Sequence, residues 1–252
     1  MQNMFDLSNK VAIVTGCNTG LGQGMALALA KAGANVVGVN RRVPAETMEL
    51  MEKRGYQFHS VIADMSKIAS VNLVIKEAVA AFGKVDILVN NAGIIRRNDS
   101  IDFTEKDWDD VMDLNVKAVF FMSQGFAKQV IAQGTAGNII NIASMLSYQG
   151  GIRVPSYTAS KSGVMGVTRL LANEWAQKGI NVNAIAPGYM ATDNTTALRE
   201  DEVRSNEILG RIPCGRWGTP DDMAGPIVFL ASEASRYVNG YTIAVDGGWL
   251  AR

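Results

Sequence analysis

Seven short apolar runs recur along this chain of 252 residues, and all but the last lead into a stretch of helical periodicity. They begin at Lys10, Asn35, Gln57, Val85, Asn138, Ile180 and Tyr241. Runs of this length rich in Val and Ile read as strands buried on both faces. Strands joined through helices pair in parallel, because a parallel pair needs a long crossover. The expectation is one parallel sheet with helices on both faces, in a single domain spanning 1–252, with no repeat and no linker.

Composition narrows the class. Lys plus Arg number 24 and Asp plus Glu number 24, so the formal net charge is zero. No basic run stands out, which argues against nucleic acid as a partner. No apolar run is long enough to span a bilayer, so no membrane partner is expected. The stretch Met1–Asp6 lacks the charged-then-apolar pattern of a secretion signal. Cys17 and Cys214 stand far apart without metal-ligand spacing, and a reducing, cytoplasmic location without a disulfide is expected. The one histidine, His59, lies in a strand, and no metal site or His-based triad can be built around it.

The first run is followed at once by Gly16-Cys17-Asn18-Thr19-Gly20-Leu21-Gly22 and then by a helix ending near Gly33. Strand, glycine turn and helix form a phosphate cradle. Glycines let backbone amides approach a pyrophosphate, and the helix start offers unpaired N–H groups. The second strand ends at Asn40-Arg41-Arg42, where dinucleotide folds place an acid for a ribose hydroxyl or an arginine for a 2′-phosphate. Asn40 suits the hydroxyl and the arginines the phosphate. Asp64 closes the third strand, as a bond acceptor for an adenine or as a helix cap. The fourth ends in Asn90-Asn91-Ala92-Gly93. Thr104 to Gln133 carries one long helical pattern, and Asn115 in its middle calls for a specific partner.

The chemistry converges on Ser144 to Lys161. Ser144 ends the fifth apolar run, while Tyr157 and Lys161 stand four apart and so share one helix face, with Pro155 in the first turn. A hydroxyl at a strand end and a phenol–ammonium pair on the next helix suit proton transfer to an alcohol or carbonyl oxygen. The sixth strand ends in Pro187-Gly188-Tyr189-Met190-Ala191-Thr192. The polar, weakly patterned segment near 189–213 is the candidate for a lid.

Thr15-Gly16-x-x-x-Gly20-x-Gly22, Asn90-Asn91-Ala92-Gly93, Asn115, Ser144, Tyr157-x-x-x-Lys161 and Pro187-Gly188 occur in this order, and together they resemble the short-chain dehydrogenase/reductase family over nearly the whole chain. The resemblance implies a Rossmann fold, a doubly wound seven-stranded parallel sheet. Its cofactor half would be about 1–143 and its catalytic and substrate half about 144–252. It implies Tyr157 as general acid/base, Ser144 holding the substrate oxygen, Lys161 binding the nicotinamide ribose and Asn115 holding a relay water. Gly16, Asn18, Thr19, Gly20, Leu21 and Gly22 would line the pyrophosphate. Asn40, Arg41, Asp64 and Met65 would meet the adenosine, joined by Asn91, Ala92 and Gly93. Pro187, Gly188, Tyr189, Met190 and Thr192 would meet the nicotinamide.

Within the family the likeness is closest to members acting on keto sugar acids. It implies NAD, with NADP also accommodated through Arg41 and Arg42, and a homotetramer. A carboxylate substrate needs cations, and the order of preference is Arg153, Arg97, then Arg216, with Met145 and Gln149 also reading the substrate. Gluconate 5-dehydrogenase, sugar-alcohol dehydrogenase, 3-oxoacyl reductase and a cofactor-bound regulatory protein stand as alternatives.

Overall fold

All seven apolar runs form strands, and they pair in parallel in one sheet of order β3-β2-β1-β4-β5-β6-β7. The strands are β1 (Val11–Thr15), β2 (Asn35–Asn40), β3 (Phe58–Ile62), β4 (Ile87–Asn90), β5 (Gly137–Ile142), β6 (Ile180–Pro187) and β7 (Thr242–Val245). The computed structural model describes residues 3–252, so Met1 and Gln2 of the N-terminal stretch lie outside the described residues. Between the strands run α1 (Gly20–Lys31), α2 (Ala45–Glu52), α3 (Ser70–Phe82), α4 (Glu105–Met112), α5 (Ala118–Gln133) and α6 (Pro155–Trp175). After β6 come α7 (Thr196–Glu200), α8 (Glu202–Arg211) and α9 (Ala224–Ala231).

The period-two alternation of each strand feeds two cores. Val11 and Ile13 of β1 join Val37, Leu88 and Ile139 on one face, under Val74 of α3, Phe126 of α5 and Leu171 of α6. Ala12 and Val14 join Val36, Ile87 and Ile140 on the other, under Met25 and Leu29 of α1 and Ile227 and Leu230 of α9. A strand covered on both faces has no polar side to show, which is why these runs read as uninterrupted apolar sequence. Full burial of a side chain such as Phe126 contributes about 1.5–3 kcal/mol.

Two segments depart from expectation. The pattern from Thr104 to Gln133 is interrupted at Asp113–Lys117 by a π-helical turn between α4 and α5, centred on Asn115. The segment after β6 holds helices α7 and α8. No helix among the described residues is long and apolar enough to cross a membrane.

The sheet order reverses between β1 and β4, which are neighbours in space. A crevice opens there, at the carboxyl ends of the strands. Beside it a polar seam crosses the core. Asn90 Nδ2 donates to Asn141 Oδ1 at 2.9 Å and Ser123 Oγ at 3.0 Å, and Asn141 Nδ2 donates to Thr168 Oγ1 at 2.9 Å. These side chains are buried, so an unmade bond costs a desolvation penalty. Asn141→Ala should therefore lower unfolding stability by about 2–3 kcal/mol. Urea denaturation checks this as a shifted midpoint at constant slope, and a shift below about 0.5 kcal/mol would show the seam to be dispensable.

Candidate active site

The crevice is a cavity of about 1020 Å³ running from the glycine turn after β1 to α6 and α8. At its first end, the cradle is built from backbone. Asn91 Nδ2 donates to the carbonyls of Thr15 and Gly16, each at 2.9 Å, and Thr15 Oγ1 accepts from the amides of Asn91 and Ala92, each at 3.0 Å. These bonds stitch the ends of β1 and β4 together and fix the turn. A Cβ on Gly22 would drive into the Gly16 carbonyl, so that position admits only glycine. Thr19, ahead of α1, makes no side-chain capping bond, so the amides of the first helical turn face the cavity unspent. A cradle closed to side chains and lined by free amides fits a pyrophosphate.

The next stretch fits an adenosine. Asn40 is buried and its Nδ2 donates to Cys17 Sγ at 3.4 Å, while its Oδ1 is buried without a partner. That orphaned acceptor matches a ribose hydroxyl. Burial pushes the Cys17 thiol up to about 11, which leaves it inert. Asp64 Oδ1 accepts from the Ser66 amide at 3.0 Å and hydroxyl at 2.8 Å. Burial pushes the Asp64 carboxyl up, but the Ser66 bonds and the nearby charges of Arg41 and Lys67 overcome it and leave the group below the usual carboxylate range.

The chemical end lies where β5 meets α6. Pro155 opens α6, and Tyr157 and Lys161 line the cavity one turn apart. Lys161 is 5% exposed, and its Nζ donates to the Ile142 carbonyl at 2.6 Å and lies 5.6 Å from the centroid of the Tyr157 ring. Burial lowers its ammonium to about 8. Ser144 follows β5 and caps a short 3₁₀ turn, accepting the Leu146 amide at 3.1 Å. Burial raises the Tyr157 phenol, opposed by the Ser144 hydroxyl and by the charge of Arg97.

Asn115 lies behind this pair, 1% exposed. Its Oδ1 accepts the Ile94 amide and its Nδ2 donates to the Ile94 carbonyl, each at 2.9 Å, and to Ser160 Oγ at 3.2 Å. The mid-helix amide thus has the partner its position called for, joining the loop after β4 to α6. It is a wall behind the cavity and contributes no lining surface.

Of the residues read from the sequence, Gly16 and Asn18–Gly22, Asn40, Arg41, Asp64, Met65, Asn91–Gly93, Gly188, Tyr189 and Thr192 line the cavity, as do Met145 and Gln149. Three do not. Pro187 is consumed in the sheet, registered with Val245. Met190 turns into the core and packs against Gly218, as an apolar side chain next to a motif readily does. Arg216 lies outside the lining, paired bidentately with Asp222 at 2.7 and 2.8 Å. That bond and charge hold the Asp222 carboxyl far below its usual range.

Arg153, the first choice for a carboxylate, lines the cavity in a left-handed conformation (φ 63°), but its Nε is paired with Asp99 at 2.9 Å. Arg97 has no acidic partner among the described residues and donates to the Asn194 carbonyl at 3.2 Å. Sequence reasoning missed the wall supplied by α8 and the C-terminal end. Arg204, Glu207, Ile208 and Arg211 line the cavity at spacings of three, four and seven, a helical face that was the available signal. Trp249 closes the same wall.

Comparison with known proteins gives a consistent picture. Residues 16–250 match the family described as enoyl-(acyl carrier protein) reductase. The chain is similar to 2-dehydro-3-deoxy-D-gluconate 5-dehydrogenase of Escherichia coli K12, 70% identical and covering 98% of each chain. Among solved structures it is similar to a proposed 2-deoxy-D-gluconate 3-dehydrogenase of Agrobacterium tumefaciens with bound NADP, at TM-score 0.95 and 56% identity over 100% of both chains. It is also similar to a gluconate 5-dehydrogenase of Burkholderia cenocepacia in complex with NADP and tartrate, at TM-score 0.94 and 38% identity over 99% of this chain and 98% of that one.

The buried ammonium has a measurable signature. Its folded-state value of about 8 lies below the 10.5 of a free lysine, so between these the unfolded chain holds a proton that the folded chain has released. The contribution of Lys161 to stability therefore rises with pH across that window. Lys161→Met should flatten this part of the stability–pH curve of the ligand-free protein, read from thermal melts between pH 8 and 10.5.

Proposed function

The chain belongs to the short-chain dehydrogenase/reductase family and is an NAD(P)-dependent oxidoreductase acting on CH–OH groups, and we propose that it interconverts 2-dehydro-3-deoxy-D-gluconate and its 5-keto form, 3-deoxy-D-glycero-2,5-hexodiulosonate. The observation that carries this reading is the 70% identity, over 98% of both chains, to the Escherichia coli enzyme of that name. The cavity supports it, since Ser144, Tyr157 and Lys161 line it together and arginine side chains flank them. In this reading the enzyme serves uronate and pectin catabolism in the cytoplasm, and its partner is a small keto sugar acid.

Ser144 Oγ holds the reacting oxygen at C5. Tyr157 gives that oxygen a proton in reduction and takes one in oxidation. A nicotinamide bound along the cavity would supply the hydride in reduction and take it up in oxidation. Burial keeps the phenol protonated in the resting site, ready to act as acid. To act as base it must ionise, and Arg97 and Lys161 provide the positive surroundings that favour the phenolate. Arg97 stands at the reacting end, since its charge acts on Tyr157. Lys161, anchored on Ile142, would also hold the nicotinamide ribose. In this reading Asn115 holds the relay water beside Lys161, from a side chain fixed by its bonds to Ile94 and Ser160.

Asn40 favours NAD through its free acceptor, and Arg41 beside Asp64 lets NADP be used as well. The helices α7 and α8 act as the lid. The assembly is the homotetramer that family membership suggests, which sedimentation would test.

A panel of keto sugar acids, gluconate, polyols and a 3-oxoacyl substrate, each with NADH and NADPH or the oxidised forms, decides the reaction. The 5-keto acid is expected to give the highest kcat/KM, and preference for a 3-oxoacyl substrate would overturn the reading. Tyr157→Phe should cut turnover by about 10²–10⁴-fold while leaving the fold intact. Because Tyr157 must be ionised to accept a proton and protonated to give one, oxidation should rise with pH and reduction fall. Rates measured in both directions between pH 6 and 10 check the sign.

A further inference from the structure

Five arginines line the cavity, and their counter-ions divide them. Arg41 belongs to the adenosine end, near Asp64. Of the four at the substrate end, Arg153 is spent on Asp99 at 2.9 Å and Arg204 on Glu207 at 2.7 Å. Arg97 and Arg211 bond only neutral groups, the Asn194 carbonyl at 3.2 Å and the Gln149 carboxamide at 3.4 Å. Neither has a carboxylate partner among the described residues. Two uncompensated cations thus face the space where the substrate sits.

Their positions are different. Arg97 shares the cavity wall with Tyr157, is tied to the Asn194 carbonyl at 3.2 Å, and its charge reaches the Tyr157 phenol. If the substrate is the sugar acid proposed above, its carboxylate lies four carbon–carbon bonds from the reacting carbon, roughly 5 Å along an extended chain. The acid group needs a cation of its own. We propose that Arg211 seats the substrate carboxylate and that it, rather than Arg153 or Arg216, sets the preference for acids.

The surroundings of Arg211 are built for that task. Its guanidinium lies 4.2 Å over the Trp249 ring, a contact that restrains it, and its one hydrogen bond among the described residues leaves donors for a forked, two-point bond to a carboxylate. A guanidinium is weakly hydrated, so little is lost when an anion replaces water at that edge. Gln149 Oε1 fixes one Nη2 hydrogen, which selects the remaining donors. Arg211 is the last residue of α8, and Ile208 one turn earlier is buried against Met145 and Trp249. Seating the acid group on Arg211 therefore also fixes the end of the lid helix over the substrate.

This assignment rests on the sugar-acid reading, and the test separates the two. Wild type, Arg211→Gln and Arg211→Lys are assayed with the 5-keto acid and with its uncharged C1 amide. In Arg211→Gln, KM for the acid should rise about 10- to 100-fold, the loss of a charge-assisted bond. Its kcat should stay within about three-fold and KM for the amide within about two-fold, since the reacting end is untouched. Arg211→Lys, which keeps the charge without the fork, should fall between. An unchanged KM for the acid, or an equal rise for acid and amide, overturns the assignment and leaves the proposed reaction standing. A wild-type protein that turns over no sugar acid overturns both. Arg211 is exposed, so the variants are expected to fold, and a thermal melt matching wild type confirms it.

Discussion

The bond from the Lys161 ammonium to the Ile142 carbonyl organises the site. It places a cation inside the protein with no carboxylate to answer it among the described residues. Such a charge is costly, and the lowering to about 8 is its measure. In return, the carbonyl at the end of β5 and the second turn of α6 are locked together. Tyr157, one turn earlier on the same face, inherits its position from that lock. Ser147 tightens it, donating to the Lys161 carbonyl at 2.6 Å from the turn that Ser144 caps. Ser144, Tyr157 and Lys161, the side chains proposed to react, are therefore held by one small set of backbone bonds at a strand end.

The same device recurs at the other strand ends. Where β1 and β4 stop, Asn91 and Thr15 take the place of the ladder, satisfying four backbone groups between them. Behind α6, Asn115 pairs with both backbone groups of Ile94 as another strand would. Carboxamides suit this work because each carries a donor and an acceptor and no charge to desolvate. The cavity is thus walled by neutral groups wherever the backbone ends, and its charges come from Arg41 and Asp64 at one end, from Lys161, Arg97 and Arg153 at the other, and from the segment that holds α7 and α8.

The strands were legible because a strand buried on both faces leaves an unbroken apolar run, and the meeting of Ser144, Tyr157 and Lys161 in one cavity because they sit at a strand end and the helix start that follows it. The break at Asn115 was not legible. Apolar residues continue through Val116, Ala118 and Val119 at helical spacing, and one extra residue in a turn leaves no mark on such a pattern. Helices α7 and α8 were hidden by their polarity, since only Ile208 on them is fully buried. The fate of the arginines was unreadable in principle. Whether Arg153 or Arg97 is free depends on Asp99 and Asn194, residues that only the fold brings near. Met190 was misplaced for a related reason: it is a neighbour of the motif in sequence and of the core in space.

The neighbourhood of β1 and β4 carries a kinetic consequence. These strands touch along Ala12 to Val14 and Ile87 to Val89, yet the chain between them first builds β2, β3 and three helices. Closing so long a loop is entropically slow, and an all-parallel sheet offers no hairpin as a shortcut. The glycine turn, Thr15 and Asn91 meet only when that closure is made. The nucleotide cradle is accordingly a late product of folding, and a dinucleotide present during refolding would find its site only after the two halves of the sheet have joined.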